Sequence, residues 1–211
     1  MARIGAAAAG LLLAFTALAL LLAAGTGRSP VHGWDAVLTG AVADTRSPFA
    51  TGAALLLHHV GAWPWGSVLV VGLLLPLVLL RRWISALLVA LAWAATSLAA
   101  VPLAKDVVGR GRPAQGLVVE DSAAYPSGHT AFAAALAVAA AAVSPPRARI
   151  PVLLAGAAFT AVMAWSRMYL GVHWFFDTVG GALLGAGLGL LVWWLLHPLL
   201  PRPVTGGERR D

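Results

Sequence analysis

The chain has 211 residues, of which 60% are hydrophobic and only 10% charged, with a mean hydropathy of +0.86. That composition excludes a soluble globular domain, and the net charge of +6 is carried by arginines scattered among short loops, which fits membrane orientation rather than nucleic-acid binding. The absence of cysteine excludes disulfides, thiolate zinc sites and a cysteine nucleophile.

In chain order, the first apolar run covers residues 4–24 and follows Arg3. It is longer than the roughly 7–15-residue core of a cleaved signal peptide, so an uncleaved span is expected. Residues 25–63 are too polar and interrupted to cross, although residues 49–62 suit a helix lying at the membrane interface. Further spans are expected at residues 64–80, with a kink at Pro76, and at residues 83–104, 127–143, 150–170 and 178–197. The runs lack the two-residue alternation of barrel strands. The expected fold is therefore all-α, a polytopic membrane protein with six transmembrane helices. Residues 1–200 form one domain in this reading, and residues 201–211, ending in TGGERRD, a disordered cytoplasmic tail.

With a cytoplasmic N-terminus, the inner loops carry Arg3, Arg81, Arg82, Arg147, Arg149, Arg202, Arg209 and Arg210. The outer side then holds Arg28, Arg46, Lys105, Arg110, Arg112 and Arg167. Lys105, Arg112 and Arg167 belong to polar clusters with another explanation, which leaves eight basic residues inside against three outside. Both termini are thus expected in the cytoplasm. The richness in Ala, Arg and Gly suggests a GC-rich bacterial gene and a bacterial plasma (inner) membrane.

Three polar clusters interrupt the apolar pattern: KDVVGRGRP at residues 105–113, PSGH at 126–129 and SRMYLGVHWFFD at 166–177. The same parity of spans places all three on the extracytoplasmic side, where they can form one site. In the third cluster, His173 and Asp177 are four residues apart and share a helical face. An aspartate there can fix the imidazole tautomer and leave the other nitrogen with a free lone pair. Alone, such a pair is better explained as a helix-start carboxylate beside an interfacial histidine. Ser166 and Arg167 change that balance by adding a hydroxyl and a fixed cation.

In the second cluster, Ser127 and Gly128 open a helix whose amides and dipole can cradle an anion, with His129 beside them as a proton donor. An N-cap serine followed by an incidental histidine explains this segment equally well. The first cluster supplies Lys105 and Arg112, with Gly109 and Gly111 allowing the loop to fold back. A basic membrane flank would explain cations, but not cations on the disfavoured outer side.

Together these groups suit phosphoryl transfer without an obligatory metal or other cofactor. Lys105, Arg112, Arg167 and the Ser127–Gly128 amides would stabilise charge on the phosphoryl oxygens. His173 would attack phosphorus, His129 would protonate the departing oxygen, and water would hydrolyse the phosphohistidine.

Read together, the clusters resemble the three signature motifs of the type 2 phosphatidic acid phosphatase superfamily, which also includes vanadium haloperoxidases and bacterial acid phosphatases. The fixed positions are Lys105, Arg112 and Pro113; Pro126, Ser127, Gly128 and His129; and Ser166, Arg167, His173 and Asp177. The resemblance implies an integral membrane phosphatase without a metal cofactor. It assigns a nucleophilic His173 supported by Asp177, an acidic His129, and phosphate binding by the other motif residues.

A phosphate site at helix ends suits a substrate whose tail stays in lipid. Phosphatidic acid, phosphatidylglycerol phosphate, lysophosphatidic acid and polyprenyl diphosphates such as undecaprenyl diphosphate all qualify, and vanadate should inhibit. Rival readings are a haloperoxidase, disfavoured by the lipid-embedded chain, and a non-catalytic lipid-binding or transport protein, disfavoured by the complete His129, His173 and Asp177 set. A metal hydrolase using His58 and His59 is disfavoured because adjacent histidines diverge on a helix. The nine tryptophans read as interfacial anchors, and Arg110, at a variable motif position, as touching a diphosphate or facing water.

Overall fold

A computed structural model describes residues 1–24 and 30–200. Every regular element among them is helical: α1 (Ala2–Ala24), α2 (Pro30–Ala43), α3 (Pro48–Gly61), α4 (Trp65–Leu79), α5 (Trp83–Ala94), α6 (Val101–Val108), α7 (Gly128–Val143), α8 (Pro146–Tyr169) and α9 (Phe175–Leu196). The expected tail at residues 201–211 lies outside the described residues.

By length and hydropathy, four described stretches can cross a membrane: α1, α5 continued through α6, α8, and α9 continued to Leu199. The pair α3 and α4, bent by 57° between them, makes a fifth if counted as one span. This is fewer than the six crossings read from the sequence, and the shortfall lies in α7. At 16 residues α7 is about 24 Å long at 1.5 Å per residue, against roughly 30 Å of hydrocarbon.

α7 is the packed centre of the bundle, sheathed by α8 and α9. Close approach on the α9 side is made by a stripe of Gly181, Gly185 and Gly189, one residue per helical turn. A Cβ on Gly185 would lie 2.0 Å from the carbonyl oxygen of Ala131, and one on Gly181 would lie 2.4 Å from that of Ser127. Gly185→Val is therefore expected to force the helices apart and destabilise the bundle by at least about 1–3 kcal/mol. Gly10→Val, where no atom lies within 4 Å of the added carbon, serves as control. The measurement is the thermal midpoint of each variant in detergent, and equal midpoints would refute the close-packing argument.

Residues 83–108 run further than the expected 83–104 because the helix changes register rather than ending. Pro102 lacks an N–H and cannot close the usual bond, and the six residues before α6, Ala95–Ala100, widen into a π-helical segment. The helix then stops at Gly109, whose φ of +59° forms a left-handed C-cap with its N–H on the Lys105 carbonyl. This puts Lys105 in the last turn, facing the loop at residues 109–127.

The segment between the first two expected spans holds two helices, not one. α3 begins at Ser47, whose hydroxyl accepts from Ala50 N, with Pro48 in the first turn. The helix runs almost to α4. Pro76, read as a kink, lies three residues before the end of α4, which continues through it as one helix.

Candidate active site

The ends of α6 and α8, the starts of α7 and α9, and the 109–127 loop converge, with α2 and α3 packed against α8. The turn between α8 and α9 is formed at Gly171, whose φ of +67° favours glycine and where a Cβ would lie 2.5 Å from the Gln115 carbonyl oxygen. That turn folds His173 inward until only 2% of its side chain is exposed.

Arg112 reaches across from the loop. Its Nη1 donates to Val172 O at 2.6 Å and lies 3.3 Å from His173 Nε2, and its Nε donates to Ser122 O at 2.7 Å. Lys105 Nζ donates to Ser122 Oγ and Ala123 O, both at 2.8 Å. Arg167 is fully buried in the last turn of α8. Its Nη2 pairs with Glu120, and its Nη1 donates to His58 Nδ1 at 2.7 Å.

Asp177 sits in the first turn of α9. Its Oδ2 accepts from Trp174 N at 2.8 Å and its Oδ1 from Arg110 Nη1 at 2.6 Å. The hydrogen bond expected between His173 and Asp177 is not closed. Nδ1 and Oδ2 are 3.6 Å apart, beyond hydrogen-bond range, and Nδ1 has no partner. Both carboxylate oxygens are already engaged elsewhere, and such bonds often tighten only when substrate arrives.

The anion cradle also differs from expectation. The Ser127 amide donates to the Asp177 carbonyl at 2.9 Å and the Ser127 hydroxyl accepts from Thr130 at 3.1 Å, so the serine ties α7 to α9. The Gly128 amide, at the first position of α7, takes no part in that tie. His129 Nε2 donates to the His58 carbonyl at 3.0 Å, and the two rings stack with centroids 5.4 Å apart. Gly61 makes room for that ring, since a Cβ there would lie 2.3 Å from His129 Cδ2.

Four residues outside the fixed motif positions join the cluster. Glu120 bridges two cations, with Oε1 on Arg167 and Oε2 3.6 Å from Arg112 Nη2. His58 couples Arg167 to His129. Arg110 neither faces water nor stands ready for a diphosphate; it is paired with Asp35 and Asp177. Sequence offered one usable signal, the acidic pair Glu120–Asp121 in the loop that follows the cation-rich first cluster. His58 and His59 do not converge: their rings lie edge to face, and His59 Nδ1 bonds to Leu55 O in its own helix.

The electrostatics favour a neutral, nucleophilic imidazole. Burial holds the His173 pKa well below the ordinary histidine value, and the charges of Arg167, Arg112 and Lys105 push it further down, against Glu120. For Glu120, burial acts upward, but the charges of Arg167 and Arg112 outweigh it and leave the carboxyl below its ordinary value. In effect a carboxylate occupies the guanidinium pair that a phosphate would need.

A helical membrane bundle that gathers three imidazoles, three carboxylates and four cations around its helix ends can hold an anion beside lipid. Residues 83–200 match the family model described as the PAP2 superfamily, and the chain belongs to that superfamily, whose phosphatases are hydrolases of phosphate esters. Among solved structures, the chain is similar to the first transmembrane PAP2-type phosphatidylglycerolphosphate phosphatase from Bacillus subtilis. The identity is 26% and the TM-score 0.79, covering 97% of this chain and 98% of that one. It shares a fold with Aquifex aeolicus LpxE at 20% identity and TM-score 0.58, over 75% of this chain and 94% of that one. A search among curated proteins returned no match.

Proposed function

We propose that this PAP2-type membrane lipid phosphatase removes the phosphate of a phosphorylated lipid through a phosphohistidine on His173. The observation that carries the reading is the buried His173 ring, with Nε2 at 3.3 Å from Arg112 and the charges of Arg167 and Lys105 around it. In the first step Nε2 bonds to phosphorus as the phosphorus–oxygen bond to the lipid breaks. Asp177 rotates onto Nδ1–H and balances the charge that forms on the ring.

His129 supplies the proton to the departing lipid oxygen. Its Nε2 hydrogen is committed to the His58 carbonyl, so the transferable proton is a second one on Nδ1, which the ring takes up from solvent as the phosphate dianion binds beside it. His129 then takes a proton from water as that water attacks phosphorus, releasing inorganic phosphate and restoring His173. Throughout, Lys105, Arg112, Arg167 and the Gly128 amide hold the phosphoryl oxygens once Glu120 is displaced. This set of protein cations needs neither metal nor cofactor for the charge, and activity should persist in chelator.

The 26% identity to the Bacillus enzyme over nearly the whole chain supports phosphatidylglycerol phosphate as the first substrate to test. Undecaprenyl diphosphate is the second, because the site recognises phosphate rather than tail. We place the enzyme in a bacterial inner membrane, with both termini cytoplasmic and the site extracytoplasmic. Residues 1–200 act as one domain, counting α7 as the short sixth crossing.

The test is phosphate release from a panel of purified lipid phosphates in detergent, with and without vanadate. No turnover on any lipid phosphate would refute the reading. On the acid side, kcat/KM is expected to hold until the pH drops well below the ordinary imidazole range, where the lowered His173 finally takes up a proton. An acid limb at or above pH about 6.5 would contradict His173 as the free base.

A further inference from the structure

The first amides of a helix have no partners within it, and at the start of α9 each finds a side chain. Trp174 N donates to Asp177 Oδ2 at 2.8 Å, Phe175 N to Thr39 Oγ1 at 3.2 Å and Phe176 N to Asp35 Oδ1 at 2.8 Å. Two of these three acceptors belong to α2. The second oxygen of Asp35 is held by Arg110 Nη2, and Arg110 Nη1 donates to Asp177 Oδ1 at 2.6 Å. A carboxylate–guanidinium–carboxylate bridge therefore runs from α2 to Oδ1 of Asp177. Asp35 and Asp177 are both fully buried, and Arg110 lies over the Trp174 ring, 5.7 Å from its centroid.

We propose that Asp35 and Arg110 are positioning residues for the Asp177–His173 pair, which makes α2 part of the catalytic apparatus. The proposal rests on His173 being the nucleophile. Neither residue reaches the reacting atoms; each acts through the orientation of Asp177.

The physical argument concerns one rotation. Asp177 Oδ2 must swing toward His173 Nδ1 to close a gap now 3.6 Å wide. The carboxylate turns about an axis whose other end, Oδ1, is fixed by Arg110. A guanidinium has its donors in a rigid plane, so one that grips two carboxylates sets the distance and tilt between them. Without Asp35, Arg110 has no anchor on the far side, and Asp177 loses its fixed pivot. The three cations around His173, namely Lys105, Arg112 and Arg167, are held by other partners: Ser122, Ala123, Val172, Glu120 and His58. Loss of the bridge should therefore leave phosphate binding intact while the nucleophile is misaligned.

The experiment uses full-length protein in detergent, with Asp35→Asn, Arg110→Leu, Arg110→Lys and His173→Ala compared with the parent. Asp35→Asn keeps an acceptor for Phe176 N and nearly the same volume, so it carries the test even if Arg110→Leu does not fold. For phosphatidylglycerol phosphate, kcat should drop about 10–100-fold in Asp35→Asn and Arg110→Leu, the scale expected of a misplaced catalytic group. KM and the vanadate concentration for half inhibition should stay within about 3-fold of the parent, since ground-state binding is untouched. Arg110→Lys, which keeps a cation but not the fork, should recover part of kcat.

Parent-like kcat in Asp35→Asn and Arg110→Leu overturns the inference. So does a parallel loss of kcat, KM and vanadate inhibition, which marks a merely structural bridge. Parent-like turnover in His173→Ala would instead bring down the proposed mechanism itself. A dead His173→Ala beside parent-like Asp35 and Arg110 variants removes only the positioning role.

Discussion

Phosphate release is expected to collapse in His173→Ala, with kcat lower by about 10^4–10^6-fold, the scale seen when a nucleophile is removed from an otherwise intact site. His129→Ala should cost about 10^2–10^4-fold on a lipid phosphate, the usual range for a general acid. The two variants separate by leaving group. An alkoxide of a lipid alcohol departs slowly without a proton, whereas p-nitrophenolate needs none. The first-turnover burst of p-nitrophenolate from p-nitrophenyl phosphate should thus slow by less than about 10-fold in His129→Ala, although the later hydrolysis of the phosphohistidine still lacks its base, while His173→Ala should show no burst at all. Rapid acid quench of the parent with labelled substrate should also trap an acid-labile phosphoryl group that is absent from His173→Ala. A p-nitrophenolate burst slowed in His129→Ala as much as release of the lipid alcohol would remove its role as acid, and undiminished labelling of His173→Ala would remove His173 as the nucleophile.

The sequence was most informative where chemistry forced an exception to hydrophobicity. Lys105, Arg112, Arg167, His173 and Asp177 stand out because polar groups beside spans need a reason, and the structure draws them into one cluster. What they touch was not legible. Glu120, His58 and Asp35 lie 47, 109 and 75 residues from the arginines they hold, and no local period relates such positions. Arg110 reads in sequence as touching a diphosphate or facing water because its two carboxylate partners come from separate helices. The Ser127 amide looked available because a helix start exposes it, yet the neighbouring helix supplies the Asp177 carbonyl to fill it. On the fold side, span counting assumes that every crossing helix is about as long as the hydrocarbon is thick and borders lipid along its length. α7 meets helices instead, and its small residues against the Gly181, Gly185 and Gly189 stripe allow a shorter helix to serve as the core.

The proposed mechanism gives Arg167 a second role beside its pairing with Glu120, and a pair of variants can pull the two apart. Arg167→Leu removes a fully buried cation and leaves Glu120, itself only 20% exposed, without its closest partner. Breaking such a pair from one side should destabilise the protein by about 3 kcal/mol, the low end of the range because Glu120 keeps some water. The same change removes a charge from the phosphoryl oxygens, and kcat/KM should drop by about 10^2–10^3-fold. Arg167→Leu combined with Glu120→Leu removes both charges, so most of the lost thermal stability in detergent should return. Activity should not return, because the phosphate still lacks its guanidinium. Glu120→Gln alone shifts the opposite way: with the carboxylate gone, Arg167 and Arg112 no longer have to exchange one anion for another, and KM should fall while kcat holds. If the double variant regained turnover along with stability, Arg167 would be a structural cation, and the charge on the transferring phosphoryl group would have to rest on Lys105 and Arg112.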